Sequence, residues 1–226
     1  MLRCLLTATC LLTSLQALAP QPATAYSPAV KAFKAGVEFH NRSDYAAAAK
    51  AYREALRLDA ELVSAAINLA IIHEKWRENE TAHKLYNDAV RVAPRSFAAR
   101  YNRGQFLQKR GRLEAALEDY RVALRISPSE TSLYVNVAAI EIRLFETKKD
   151  VSLLKSAEQN LLSAERLRSK SPALYFNKAR LNELMNHPAR ARTMYEEAMR
   201  HYAPQSAEYK TCAMRADRLS RQLSHN

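Results

Sequence analysis

Histidine is the side chain best suited to metal binding or proton transfer near neutral pH, and five of the six in this sequence, His40, His73, His83, His187 and His201, lie between residues 29 and 205. They are scattered, and no cysteine or carboxylate accompanies them at the spacing a metal site uses. His73 and Glu74 begin like the helical zincin motif, but Arg77 occupies the place of the second histidine. A phosphate-cradling loop needs clustered glycines, and the nearest pair, Gly104 and Gly111, lies seven residues apart. No serine or cysteine stands out as a nucleophile paired with a base. These residue types point away from an enzyme and imply neither metal nor cofactor. A different chemistry recurs instead. Asn68, Asn102 and Asn136 follow one another at 34 residues, and Asn177 comes 41 residues later. An asparagine amide both donates and accepts, so a ladder of them can pair with the backbone of an extended peptide whatever its sequence. Lys75, Lys109 and Arg143 keep the same 34-residue step, and with Arg180 they would suit acidic side chains or a free carboxylate. Charge on helix faces also serves plain solvation, and that alternative stays open.

The elements that carry these residues repeat with them. Ala48, Ala82 and Ala116 are 34 residues apart, as are Tyr52, Tyr86 and Tyr120, and Ala55, Ala89 and Ala123. Gly36, Ala70 and Gly104 keep the same step, and Ala60, Pro94 and Pro128 close the units. Only three glycines in 226 residues, with many Ala and Leu, favour helices over turns and strands. This pattern closely resembles the tetratricopeptide repeat family, in which each unit is a pair of antiparallel helices. The resemblance places repeats at 29–62, 63–96 and 97–130. With seven inserted residues, two more follow at 131–171 and 172–205, and residues 206–223 look like a capping helix. The implied fold is all-α, an α-solenoid of about five helix hairpins. Small residues at the recurring alanines let helix axes approach, aromatics fill the gaps, and stacking buries a core that no single short helix could bury alone.

In this family the first helices of successive repeats line a concave face. Carried over residue by residue, that face receives Lys34, Asn68, Asn102, Asn136 and Asn177, similar to the asparagine ladder of O-linked N-acetylglucosamine transferases. Asparagine is also the family's commonest residue there, so inherited consensus is the competing explanation. Beside it runs an apolar row, Phe33, Ile67, Tyr101, Val135 and Phe176, that could take ligand side chains or be core. The family's two-carboxylate clamp for chaperone tails is not matched: Phe33, Val37 and Ala98 stand where Lys, Asn and Lys are required, and only Asn68 fits. The resemblance therefore implies a non-catalytic scaffold or adaptor whose concave groove binds a protein or extended peptide. An accessory subunit acting through its convex face is one alternative, and a basic helical-repeat binder of nucleic acid is the other.

A formal charge of +12 gives a basic surface but does not choose among acidic proteins, nucleic acid and anionic lipid. The first 25 residues read as an export signal, with Arg3 ahead of a mostly apolar run and a cleavage site after Ala25. An uncleaved anchor and an organelle transit peptide are the alternatives; the run is shorter than the ~20 residues a membrane span needs. Export would place the chain in a periplasm or, in a eukaryote, in the secretory lumen or outside the cell, and it weighs against nucleic acid. Cleavage would leave Cys212 as the sole cysteine and so no internal disulfide. Beyond residue 25 no segment is apolar enough to span a membrane. Asn41-Arg42-Ser43 and Asn79-Glu80-Thr81 match the glycosylation acceptor pattern, relevant only in a eukaryotic secretory pathway.

Overall fold

The computed structural model describes residues 26–224; the expected export signal, with its cut after Ala25, lies outside the described residues. Among the described residues there are eleven helices and no strand. They are α1 (Pro28–Asn41), α2 (Tyr45–Leu58), α3 (Val63–Lys75), α4 (Asn79–Val92), α5 (Phe97–Lys109), α6 (Leu113–Ile126), α7 (Thr131–Lys148), α8 (Val151–Arg166), α9 (Pro172–Leu184), α10 (Pro188–Met199) and α11 (Ala207–Ser224). Ten of them pair in sequence order as helix hairpins, one hairpin to each repeat unit, and α11 stacks on α10 without a second helix.

Local chemistry sets the boundaries. Ser27, Ser96 and Ser171 accept a hydrogen bond from the backbone N–H three residues on, capping the otherwise unpaired donors of α1, α5 and α9. Pro28, Pro172 and Pro188 sit in the first turn, where the missing N–H costs nothing. The tight turn between the two helices of each hairpin needs one left-handed residue. Ser43, Arg77, Gly111, Lys149 and Asn186 fill that place with φ between 57° and 73°. Only Gly111 does so without a steric penalty.

The fourth hairpin absorbs the insertion in its helices. α7 has 18 residues where α3, α5 and α9 have 13, and α8 has 16 where α2, α4 and α6 have 14. The hairpin is longer at one end, and its neighbours keep their register.

Packing follows the period. Tyr52, Tyr86, Tyr120 and Tyr195 are buried between the helices of their own hairpins, and Leu161 takes that place in the fourth. Gly36 and Gly104 face these rings so closely that a Cβ would stand 2.5 Å from Tyr52 and 2.6 Å from Tyr120. The absence of a side chain is what admits the ring. The first helices also touch one another, α3 against α5 and α7 against α9, which places one row of helices along a common face.

Candidate functional site

Two hollows open between consecutive first helices in that row. One, of about 390 Å3, lies between α3 and α5 and is lined by Ile71, Glu74, Lys75, Tyr86, Asn102, Gln105 and Lys109. The next, of about 560 Å3, lies between α5 and α7, with Gln105, Gln108, Lys109, Gly111, Tyr120, Asn136 and Arg143. Gln105 and Lys109 belong to both, so the two join into a single trough.

The floor of each hollow is a buried tyrosine. The Tyr86 hydroxyl donates to Glu74 at 3.3 Å, and the Tyr120 hydroxyl donates to the Gln108 side-chain oxygen at 2.8 Å. Burial, aided by the Glu74 carboxylate, raises the Tyr86 hydroxyl well above its ordinary pKa; burial, aided by Tyr101 and Asp119, does the same for Tyr120. Both therefore stay protonated donors across the physiological range. Their partners are held still, which fixes the polar atoms that face the trough.

Of the expected ladder, Asn102 and Asn136 line the trough. Asn102 gives one amide hydrogen to the Ala98 carbonyl at 2.8 Å, which orients the group and leaves its oxygen and second hydrogen for a ligand. The Asn136 side chain makes no hydrogen bond among the described residues. The other members are placed differently. The Asn68 amide donates to the Tyr52 hydroxyl at 3.2 Å, Asn177 is only 8% exposed, and Lys34 lies over the Tyr26 ring. None of these three lines either hollow.

The apolar row splits in the same way. Ile67 and Val135 are 5% and 3% exposed and belong to the core, so they offer a ligand little surface. Phe33, Tyr101 and Phe176 are half-buried and pack against the Tyr52, Tyr120 and Tyr195 rings respectively. Phe176 also borders a separate hollow toward α11.

The cations are less free than their spacing implies. Lys109 pairs with Glu74 at 2.8 Å, Arg180 pairs with Glu146, and Lys75 lies over the Tyr45 ring at 4.4 Å. Arg180 is 17% exposed and lines neither hollow. Arg143 makes no hydrogen bond or ion pair among the described residues and is exposed at the wall of the larger hollow. With Lys75, which borders the smaller hollow and has no ion pair among the described residues, it is the trough's uncompensated positive charge.

Sequence reasoning singled out neither the acceptors that neutralise these cations nor the glutamines that line the hollows. A signal for the acceptors exists. Glu74 and Lys109, Glu114 and Lys148, Glu146 and Arg180, and Glu183 and Arg218 are each one repeat apart in sequence, 34 or 35 residues, and each is an ion pair between neighbouring hairpins or between α9 and α11. The step alone does not mark a bridge: Glu78 and Arg112 keep it while Glu78 pairs with His73, and Glu158 and Arg192 keep it while Arg192 pairs with Glu196.

Two fully buried carboxylates belong to the scaffold. Asp119 accepts from both Arg100 and Arg103, whose guanidinium also reaches Asn87, joining α4, α5 and α6. Glu141 accepts from Arg121, Ser156 and Asn160, joining α6, α7 and α8. Their hydrogen bonds offset the cost of burying charge and fix how one hairpin sits on the next. Among the described residues no three His, Cys, Asp or Glu side chains converge to hold a metal ion, and no helix is long and apolar enough to cross a membrane.

The tetratricopeptide repeat family model matches residues 67–131, the stretch that carries most of the trough. Comparison with curated proteins finds no match in sequence. Solved structures match widely in fold. YrrB, a protein of this repeat class described as having an unusual peptide-binding site, superposes with a TM-score of 0.68 at 14% identity, over 82% of this chain and 92% of its own. PilW, a type IV pilus biogenesis factor, gives 0.66 at 19% identity, over 89% and 94%. MamA from Desulfovibrio magneticus gives 0.66 at 14% identity, over 81% and 100%. These likenesses concern the fold. The 34-residue period, the stacked hairpins with their buried tyrosines and the family match together make this chain a tetratricopeptide-repeat array.

Proposed function

We propose that the trough along α3, α5 and α7 holds an extended segment of a partner protein, so that the chain works as a scaffold or adaptor. The observation that carries the reading is the convergence of Asn102 and Asn136 on two joined hollows, with the Arg143 guanidinium beside them. A peptide backbone brings one donor and one acceptor per residue into such a trough, and amides that already face it can satisfy them without repacking. Arg143 favours a carboxylate on the bound segment at the α5/α7 hollow, because a bidentate pair is stronger than a neutral hydrogen bond. The peptide-binding site described for YrrB supports this use of the fold. The partner is met after export, with residues 1–25 removed.

The test is affinity capture from the chain's own compartment, run in parallel with wild type and with the Asn102→Ala/Asn136→Ala double variant, followed by mass spectrometry. The partner is expected to disappear with the double variant while helix content stays unchanged. Equal capture by both chains would move the binding surface away from the trough, to the outer face.

A further inference from the structure

This inference rests on the trough reading and extends it to the sequence of the bound segment. Farther along the row of first helices a third hollow, of about 230 Å3, opens between α9 and α11. Phe176, Tyr202, Ala207, Glu208 and Thr211 line it. Its walls are mainly apolar, whereas glutamines, Asn136, Lys109 and Arg143 surround the α5/α7 hollow. Phe176 packs edge-on against the fully buried Tyr195 ring at 5.8 Å, so one wall is fixed from behind. α11 forms the opposite wall, held to α9 by Arg215 and Arg218 on the Glu183 carboxylate. Ala207 and Thr211, one turn apart on α11, are small enough to leave the space between open.

We infer that this hollow receives a large apolar side chain, aromatic by preference, from the same extended segment whose carboxylate meets Arg143. An apolar cavity of about 150 Å3 already admits a benzene ring, so the α9/α11 hollow has room for one such side chain. Glu208 at its rim repels a carboxylate, and Arg143 attracts one, so the two hollows sort the segment by charge and fix its direction. The α5/α7 and α9/α11 hollows are two first-helix steps apart. At about 8–10 Å per packed helix and about 3.3 Å per extended residue, the acid and the apolar residue stand about six residues apart. On this account α11 is more than a cap: it supplies one wall of a binding pocket.

The test uses synthetic peptides with one Glu and one Trp, separated by about two, four, six or eight residues in a Ser/Ala background, and the full chain, read by fluorescence anisotropy. The six-residue spacing is expected to bind best, and replacing its Trp with Ala should weaken binding about tenfold or more. Ala207→Phe, an exposed position whose new ring fills the hollow, should remove the Trp dependence and leave the Glu dependence intact. Asn102→Ala/Asn136→Ala should weaken every peptide. Trp and Ala peptides of equal affinity, an Ala207→Phe chain that still distinguishes them, or no binding by any peptide would each overturn the inference. If the Asn pair matters while Trp does not, the trough reading survives and the α9/α11 pocket falls. If Trp matters while the Asn pair does not, the trough reading falls, and with it the inference as stated.

Discussion

One added methyl group separates two kinds of glycine in this array. At Gly104 a Cβ would lie 2.6 Å from the Tyr120 ring, with the ring fully buried and unable to withdraw. Gly104→Ala should therefore cost about 1–3 kcal/mol through overpacking. At Gly111 a Cβ meets nothing within 4 Å, but φ is +73°, so Gly111→Ala should cost about 1 kcal/mol, from the backbone alone. Arg77 has the left-handed turn conformation without being glycine, and Arg77→Gly should raise stability by roughly 0.5–1 kcal/mol. Urea melts of the three variants check these magnitudes; a Gly104→Ala chain as stable as the wild type would contradict the contact described. The buried tyrosines set an alkaline limit. Tyr52, Tyr86, Tyr120 and Tyr195 all have hydroxyl pKa values raised, first of all by burial. A pKa raised on folding gives stability that is complete below the unfolded value near 10 and is lost as pH rises past it toward the folded value. The melting temperature should hold up to about pH 10 and then fall, with tyrosinate absorbance rising together with unfolding.

At the scale of elements, α11 buries Cys212, Ala216 and Leu219 against the last hairpin, and one carboxylate reinforces that contact. Glu183 accepts from the Tyr195 hydroxyl at 2.7 Å, from Arg215 at 2.9 Å and from Arg218. Glu183→Ala should loosen α11 on its apolar seat while leaving distant hairpins intact, because each unit of a solenoid contacts only its neighbours. Hydrogen exchange is the check: amides of α11 should exchange about tenfold faster or more, and those of α3 should not change. Element by element, much was readable in advance. The repeated alanines and tyrosines gave the period, because close helix approach and gap filling need those residue types at fixed places. The turn residues Ser43, Arg77 and Asn186 fall one per hairpin, yet they differ in type, so composition hid a shared left-handed geometry. The seven extra residues mostly became helix in α7 and α8, which spacing alone could not divide between helix and turn. At the site, Asn102 and Asn136 share the trough, whereas Asn68 is drawn to the Tyr52 hydroxyl and Asn177 is buried. The ladder is regular in sequence, but the tertiary partners of its members are not, and a spacing argument sees only the former.

The whole molecule is a row of hairpins whose shared face turns from polar and cationic between α5 and α7 to apolar between α9 and α11. Some of its 35 Lys and Arg are matched one to one by acids in bridges between neighbouring units, so the excess behind the formal charge of +12 lies on the remaining cations. What remains available in the trough is local, Arg143 at one hollow and Lys75 at the other, and it favours an acidic segment over a long polyanion. The most direct measurement is site-specific photocrosslinking in the native compartment. A photoreactive residue at Gln105, which borders both joined hollows, is expected to trap the partner, and one at the exposed Lys84 on α4 is expected to trap nothing. A partner captured from Lys84 and not from Gln105 would contradict the account.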